Sequence, residues 1–211
     1  MDADKKDALK FTIVDVERLN VVDPDGTLRM ALFNARNFPG VTTEDKVLDR
    51  QIGNRTAGML FYNESGEECG GLVFGDGEAG LLFDQYHQDQ VIGVTYGQDA
   101  EGRNEYGMVL WDRPDMPLGE WMQEWSRIQI LPEGNDRDRA EKEFKASDLW
   151  GKRRAYIGKS SDGEVGVTLS DSKGRTRIRM VIGADDMPRL EFLDEAGNLA
   201  FRLPPGSRSN D

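Results

Sequence analysis

Residues 156–204 read YIGKSSDGEVGVTLSDSKGRTRIRMVIGADDMPRLEFLDEAGNLAFRLP, and their punctuation decides the fold. Short runs such as VGVTLS, RTRIRMVI, RLEFLD and NLAFRLP alternate apolar with polar side chains, the period-two pattern of a strand. Asp-rich, Gly-rich turns recur between them about every eleven residues. Connections this short join antiparallel neighbours, because a parallel pair needs a crossover of about a dozen residues or more. The pattern predicts that Leu169, Ile178, Met180, Ile182, Leu190, Phe192 and Leu199 are buried on one or both faces of the hairpins.

The same grammar appears upstream at Asp23 to Gly26, Asn63 to Gly66 and Asp99 to Gly102. Strands are expected over 11–22, 27–33, 59–62, 70–74, 81–86, 91–96 and 105–111, with 34–55 a long polar loop. Pro114 and Pro117 then break the pattern. Leu118, Met122 and Trp125 fall near one helical face, so 118–131 is expected to be a helix whose Trp121 and Trp125 dock on the sheet. A second helix is expected from Asp136 to about Trp150, capped by Asn135 and closed by Gly151. The predicted class is therefore all-β, mainly antiparallel hairpins or a meander of about twelve strands, barrel- or sandwich-like, with a helical insertion at 117–150. The expected divisions are a disordered start at 1–10, a β region at 11–116, the helical segment, a hairpin region at 151–204 and a disordered tail at 205–211.

Of the 211 residues 37% are hydrophobic and 31% charged, so the surface is heavily solvated. The net charge of −12 repels a phosphate backbone, and no basic aromatic stripe offsets it, which excludes nucleic acid as an expected partner. Lys152, Arg153 and Arg154 are taken as a solvated strand start. Cys69 is the sole cysteine, so no intrachain disulfide forms. No apolar stretch is long enough for a signal peptide or a membrane span. The expectation is a cytoplasmic protein, or an exported or envelope one if a leader has been removed.

The phrases ERLNVVDPDGTLRMALFN, RTAGMLFYNESGEECGGLVF, LLFDQYHQDQV and LWDRPD, with the closing RIRMVIGADDMPRLEFLDEAGNL, resemble a family of bacterial β-rich proteins. The resemblance covers nearly the whole chain outside the long loop and the second helix. It implies a bacterial source and a shared fold, and brings no activity with it.

The run Asp84-Gln85-Tyr86-His87-Gln88-Asp89-Gln90 is the most unusual. It reads first as a solvated loop or a polar ladder between strands, then as a ligand- or subunit-contact surface, and last as an acid/base pair in which Asp89 orients His87. In an extended chain Asp84, Tyr86, Gln88 and Gln90 share one face, and Gln85, His87 and Asp89 the other. His87 is the only histidine, well short of a zinc constellation or a triad. Asp23-Pro24-Asp25-Gly26 has part of a calcium-loop phrase and lacks its remaining ligands. The glycines from Gly70 to Gly80 lack the lysine and following helix of a phosphate loop. Trp111 and Asp112 end a strand, where Trp111 closes a core and Asp112 pairs with Arg113, or both face a ligand.

No catalytic residues, metal or cofactor are assigned. The ligand-contact candidates are Asp84, Tyr86, His87, Gln88, Asp89, Trp111 and Asp112. The expected function is a non-enzymatic interaction or scaffold protein that self-associates. The alternatives are a small-ligand or glycan module using 84–90 and 34–55, and a carboxylate hydrolase using Asp84 and Asp89. Gly70 to Phe74 and Arg175 to Ile182 are the expected exposed edges. Leu72, Val73 and Phe74 are the expected contact of a closed homo-oligomer.

Overall fold

The computed structural model describes residues 9–43, 46–48 and 56–205, the side chains of 41–43 and 46–48 excepted. The strands are β1 (Arg18–Val22), β2 (Leu28–Phe33), β3 (Val41–Thr43), β4 (Lys46–Leu48), β5 (Ala57–Tyr62), β6 (Glu68–Gly75), β7 (Glu78–Asp84), β8 (Gln90–Gln98), β9 (Asn104–Asp112), β10 (Lys152–Lys159), β11 (Val165–Ser170), β12 (Thr176–Ile182), β13 (Pro188–Leu193) and β14 (Leu199–Leu203). Two helices, α1 (Leu118–Gln129) and α2 (Asn135–Ala146), lie between β9 and β10. Twelve strands form one antiparallel meander, from β1 and β2 through β5 to β14 in chain order, and β3 and β4 form a separate hairpin. The all-β class with a helical insertion is as the turn grammar predicts.

One five-residue turn builds most of the meander. In the Asp171 turn the Gly174 N–H donates to the Asp171 carbonyl, and the Asp171 N–H donates to the Arg175 carbonyl. The Asp171 carboxylate caps the N–H groups of Lys173 and Arg175. Gly174 takes φ +75°, which glycine adopts without steric cost. The register slips by one residue just before the turn, between Leu169 and Ser170, so strand twist and turn geometry agree. Asn63, Asp99 and Asp194 repeat the arrangement. Asp25 is committed to the Thr27 N–H, and Asp23 lies 3.6 Å from Arg29, so that phrase is a hairpin turn.

Several expectations need correction. The first strand starts at Arg18 rather than Phe11; among the described residues, 9–17 enters no strand ladder, and the Asn34 N–H donates to the Glu17 carbonyl just before β1. The loop at 34–55 contains the β3–β4 hairpin, and its residues 44–45 and 49–55 lie outside the described residues. The second helix is capped by Gly134 and ends at Ser147, leaving Trp150 outside it. Trp121 and Trp125 pack on Phe144 and Trp150, with ring centroids 5.4–5.9 Å apart across the two sets, instead of on the sheet. The Trp121 indole N–H also donates to the Leu149 carbonyl, so the helical hairpin has an aromatic core of its own.

The two faces of the sheet differ. One face carries the core, where Ala31, Phe33, Leu60 and Tyr62 cluster with Leu28, Phe38 and Val73. Tyr156 and Val109 continue it, and the Tyr156 hydroxyl donates to the Tyr106 carbonyl over a floor where Gly107 and Gly158 pair directly. Towards the C-terminus this face becomes ionic: Arg179 lies between Glu164 and Glu191. The opposite face is bare. Leu169, Met180, Ile182, Phe192 and Leu199, expected in a core, are exposed there. Their strands form a single layer, and among the described residues no second layer covers it.

Candidate functional site

The 84–90 run is a tight turn, not an extended strand. The Gln88 N–H donates to the Gln85 carbonyl, and His87 takes φ +56°. Gln88 is buried, and its side-chain amide donates to the Met116 carbonyl at 2.6 Å and the Pro114 carbonyl at 3.3 Å. The Leu118 N–H, a donor unpaired within its helix, donates to the His87 carbonyl at 2.8 Å. The turn thus fixes the start of the helical hairpin. His87 Nδ1 lies 3.0 Å from buried Glu67, whose other oxygen accepts from Asn63. Tyr86 is exposed and stacks on His87.

The other candidates serve the fold as well. The rim of the Trp111 ring lies over Gly93, and the Arg113 guanidinium sits 5.6 Å from its centre. Asp112 pairs with Arg154 on β10 instead of Arg113. Arg113 turns to the Gln90 carbonyl and lies 3.8 Å from Asp89. Asp84 stands opposite Gln90 at the start of the turn. Asp84, Asp89, Gln90 and Arg113 lie together at one end of the sheet. Burial, then the nearby Asp84 and Glu68 charges, push the Cys69 thiol up. Lys152 donates to the Ser147 carbonyl, and Arg153 pairs with Glu105.

The feature that spans the molecule is the bare face. Strand register places Leu19, Leu32, Met59, Leu72, Leu81, Val94, Met108, Ile157, Val167, Met180, Leu190 and Leu203 in one row, one residue from each of the twelve strands. All twelve are apolar. A second row runs from Val21 through Phe61, Phe83, Ile92 and Phe192 to Phe201, also with no polar member. Leu72 and Phe74 stand on this face, 42% and 52% exposed. Val73 points the other way, into the core cluster. β6 and β12 are interior strands, so neither offers the free edge expected of it; the edges are β1 and β14.

A cavity of about 390 Å³ opens on the core side of β5 to β8. Among the described residues of the two loops expected to hold a ligand, Ala35, Phe38 and Gln90 reach it; Asp84, Tyr86, His87, Gln88, Asp89, Trp111 and Asp112 do not line it. Glu68 and Glu78, which sequence reading passed over, do. Their signal was available in part: Glu78 alternates in phase with Gly80 and Leu82, so it shares their face.

Fold and surface together define an open antiparallel meander with a bare apolar face. No protein-family model matches the chain, and no curated protein matches it. Among the described residues, no helix is long and apolar enough to cross a membrane.

Proposed function

We propose that the chain is a non-enzymatic scaffold that assembles with a second copy of itself through the bare apolar face. The row of twelve apolar residues, one per strand, carries this reading. An apolar patch so large is rare on a monomer. Twelve strands at ~4.8 Å spacing and two rows ~7 Å apart make a face on the order of 800 Å², which is about what each partner gives to a standard interface. Two such faces stack as a sandwich about 10 Å apart, a closed two-fold arrangement that does not propagate.

A lipid surface suits this face less well. The turns along its rims carry Asp23, Asp99, Asp171 and Asp194, which anionic headgroups repel. The main-sheet strands have five to nine residues, at or below the roughly 9–11 a membrane strand needs.

The test is mass by light scattering at high micromolar concentration, for the protein and for Leu81→Lys and Met108→Lys, which place a charge at the centre of the face. A dimer that both variants convert to folded monomer supports the reading. A strict monomer, dimers indifferent to both changes, or binding to neutral vesicles in place of dimerisation overturns it. Val73→Lys is unsuitable, because Val73 packs in the core.

A further inference from the structure

We propose that residues 12–16 of one copy add as a thirteenth strand to the β14 edge of a second copy. The contact is at an edge of the sheet, not on its apolar face, and it stands whether or not two faces stack.

The added segment has strand character that its own sheet does not use. Residues 11–16 read FTIVDV, all β-branched or aromatic but for Asp15. Phe11, Ile13, Val14 and Val16 are exposed, Ile13 by 79%. Such a segment gains both backbone hydrogen bonds and burial by joining a sheet edge.

The receiving edge is open. Among the described residues β14 ends the sheet, so one side of Leu199–Leu203 has no strand neighbour. It carries neither the lysine nor the proline that commonly blunts an edge. Leu199, Phe201 and Leu203 are exposed on the bare face, and Ala200 and Arg202 lie on the other. The Arg202 Nε makes no hydrogen bond and lies 3.8 Å from Glu191, which already accepts from Arg179 at 3.0 Å.

One register satisfies both faces. Run parallel to β14, Thr12 stands beside Leu199, Ile13 beside Ala200, Val14 beside Phe201, Asp15 beside Arg202 and Val16 beside Leu203. Asp15, the sole charge in 11–16, then meets the Arg202 guanidinium. Val14 extends the apolar row that ends at Phe201, and Val16 the row that ends at Leu203. A slip of one residue puts Asp15 into an apolar row and a valine over the guanidinium. An antiparallel strand with Asp15 at Arg202 needs Glu17 and Arg18 to fill the edge. Both belong to their own sheet, where Arg18 is in β1 and the Glu17 carbonyl accepts from the Asn34 N–H.

Reach makes the recipient a second copy. β1 and β14 are the two ends of twelve strands, roughly 50 Å apart along the sheet. Residues 12–16 extend at most about 18 Å from Glu17. Two copies that exchange these arms form a closed pair.

Fluorescence anisotropy of a labelled peptide of residues 9–17, titrated with the full chain, tests this. The chain carries Val14→Pro, which keeps its own arm from competing. The peptide is expected to bind, and Arg202→Glu to weaken it about tenfold or more, the effect of one charge-assisted hydrogen bond. Asp15→Lys in the peptide should weaken binding as much and should restore binding to the Arg202→Glu chain. Leu81→Lys should leave the affinity unchanged. With Cys69→Ser, a peptide carrying Thr12→Cys should cross-link on oxidation to Leu199→Cys and not to Leu203→Cys. Absence of binding at millimolar peptide, or an affinity indifferent to both charge changes, overturns the proposal. So does cross-linking to Leu203→Cys in place of Leu199→Cys, or loss of binding in Leu81→Lys, which would place the peptide on the apolar face.

Discussion

Arg179 on β12 stands directly opposite Glu191 on β13, and their side chains meet at 3.0 Å. One residue further along each strand, Met180 stands opposite Leu190 on the other face. Glu191 is almost fully buried, and Met180 is 56% exposed. The C-terminal hairpins thus invert the usual order, with ion pairs covered and hydrocarbon bare. A buried pair adds little net stability after desolvation, so these hairpins depend on whatever covers Met180 and its neighbours.

Phe192 makes that dependence measurable. It touches Phe201, with ring centroids 6.0 Å apart, and remains partly exposed. In a monomer, where Phe192 is 37% exposed, Phe192→Ala should cost about 1–2 kcal/mol, because part of the residue's area is still in water. In an assembly that buries the face it should cost roughly 3–5 kcal/mol. Denaturant unfolding across a hundredfold range of protein concentration separates the two. The expected result is a midpoint that rises with concentration in the wild type and much less in the variant.

The alternation and the Asp/Gly turns made the meander legible in the sequence, because both are local. VGVTLS and RTRIRMVI state that each strand has two unlike faces, and the structure agrees. Which face is covered is not a local property. Arg177 and Arg179 look like a solvated face until Glu164 and Glu191 from neighbouring strands enclose Arg179. The partners of the 84–90 run were not legible for a related reason. Its polarity fitted a solvated loop, a polar ladder or a contact surface alike, whereas the partners of Gln88 are carbonyls 26 and 28 residues away. The cavity was not legible because Leu60, Val73, Leu82 and Gly97 come from four strands and line one space only through register.

Gln88 should therefore act on the helical hairpin and leave the sheet intact. Gln88→Ala leaves the Pro114 and Met116 carbonyls without their donor, at a cost of about 1–3 kcal/mol. The Trp121, Trp125 and Trp150 cluster gives a local readout. Near-ultraviolet dichroism and tryptophan fluorescence should change, while the far-ultraviolet strand signal holds. Loss of the strand signal together with the tryptophan signal would show instead that the turn supports the whole sheet.

Acid should weaken the turns in a defined window. The hydrogen bond from the Arg175 side chain, followed by backbone N–H donors, holds the Asp171 carboxyl down at about 2. Backbone hydrogen bonding from Arg103 lowers Asp99, and the side chain of Asn198 lowers Asp194. A carboxyl whose folded value is depressed contributes stability that is full above its unfolded value, about 4, and is lost as pH falls through the folded value. Stability should decline as pH drops from about 4 towards 2. Asp171→Asn keeps an oxygen for the turn but removes the charge, so its slope over that window should be shallower. An identical slope would mean that Asp171 is equally acidic in the unfolded chain.

Gly158 should tolerate no side chain, in contrast to Gly97. It pairs with Gly107 across β9 and β10, and a Cβ built on it falls 2.2 Å from the Tyr106 carbonyl oxygen and 2.6 Å from the Gly107 Cα. Both are backbone atoms, so no rotamer relieves the overlap, and the two central strands must part. The Tyr156 hydroxyl lies 2.8 Å from the same point, and its hydrogen bond to the Tyr106 carbonyl would be strained together with the ladder. Gly158→Ala should cost roughly 3 kcal/mol, the upper part of the range for overpacking. Gly97→Ala, which meets nothing within 4 Å, should stay within about 0.5 kcal/mol of the wild type. Urea midpoints of the two variants, measured at one protein concentration, check the contrast. Equal midpoints would mean that β9 and β10 are not held at this close approach in solution.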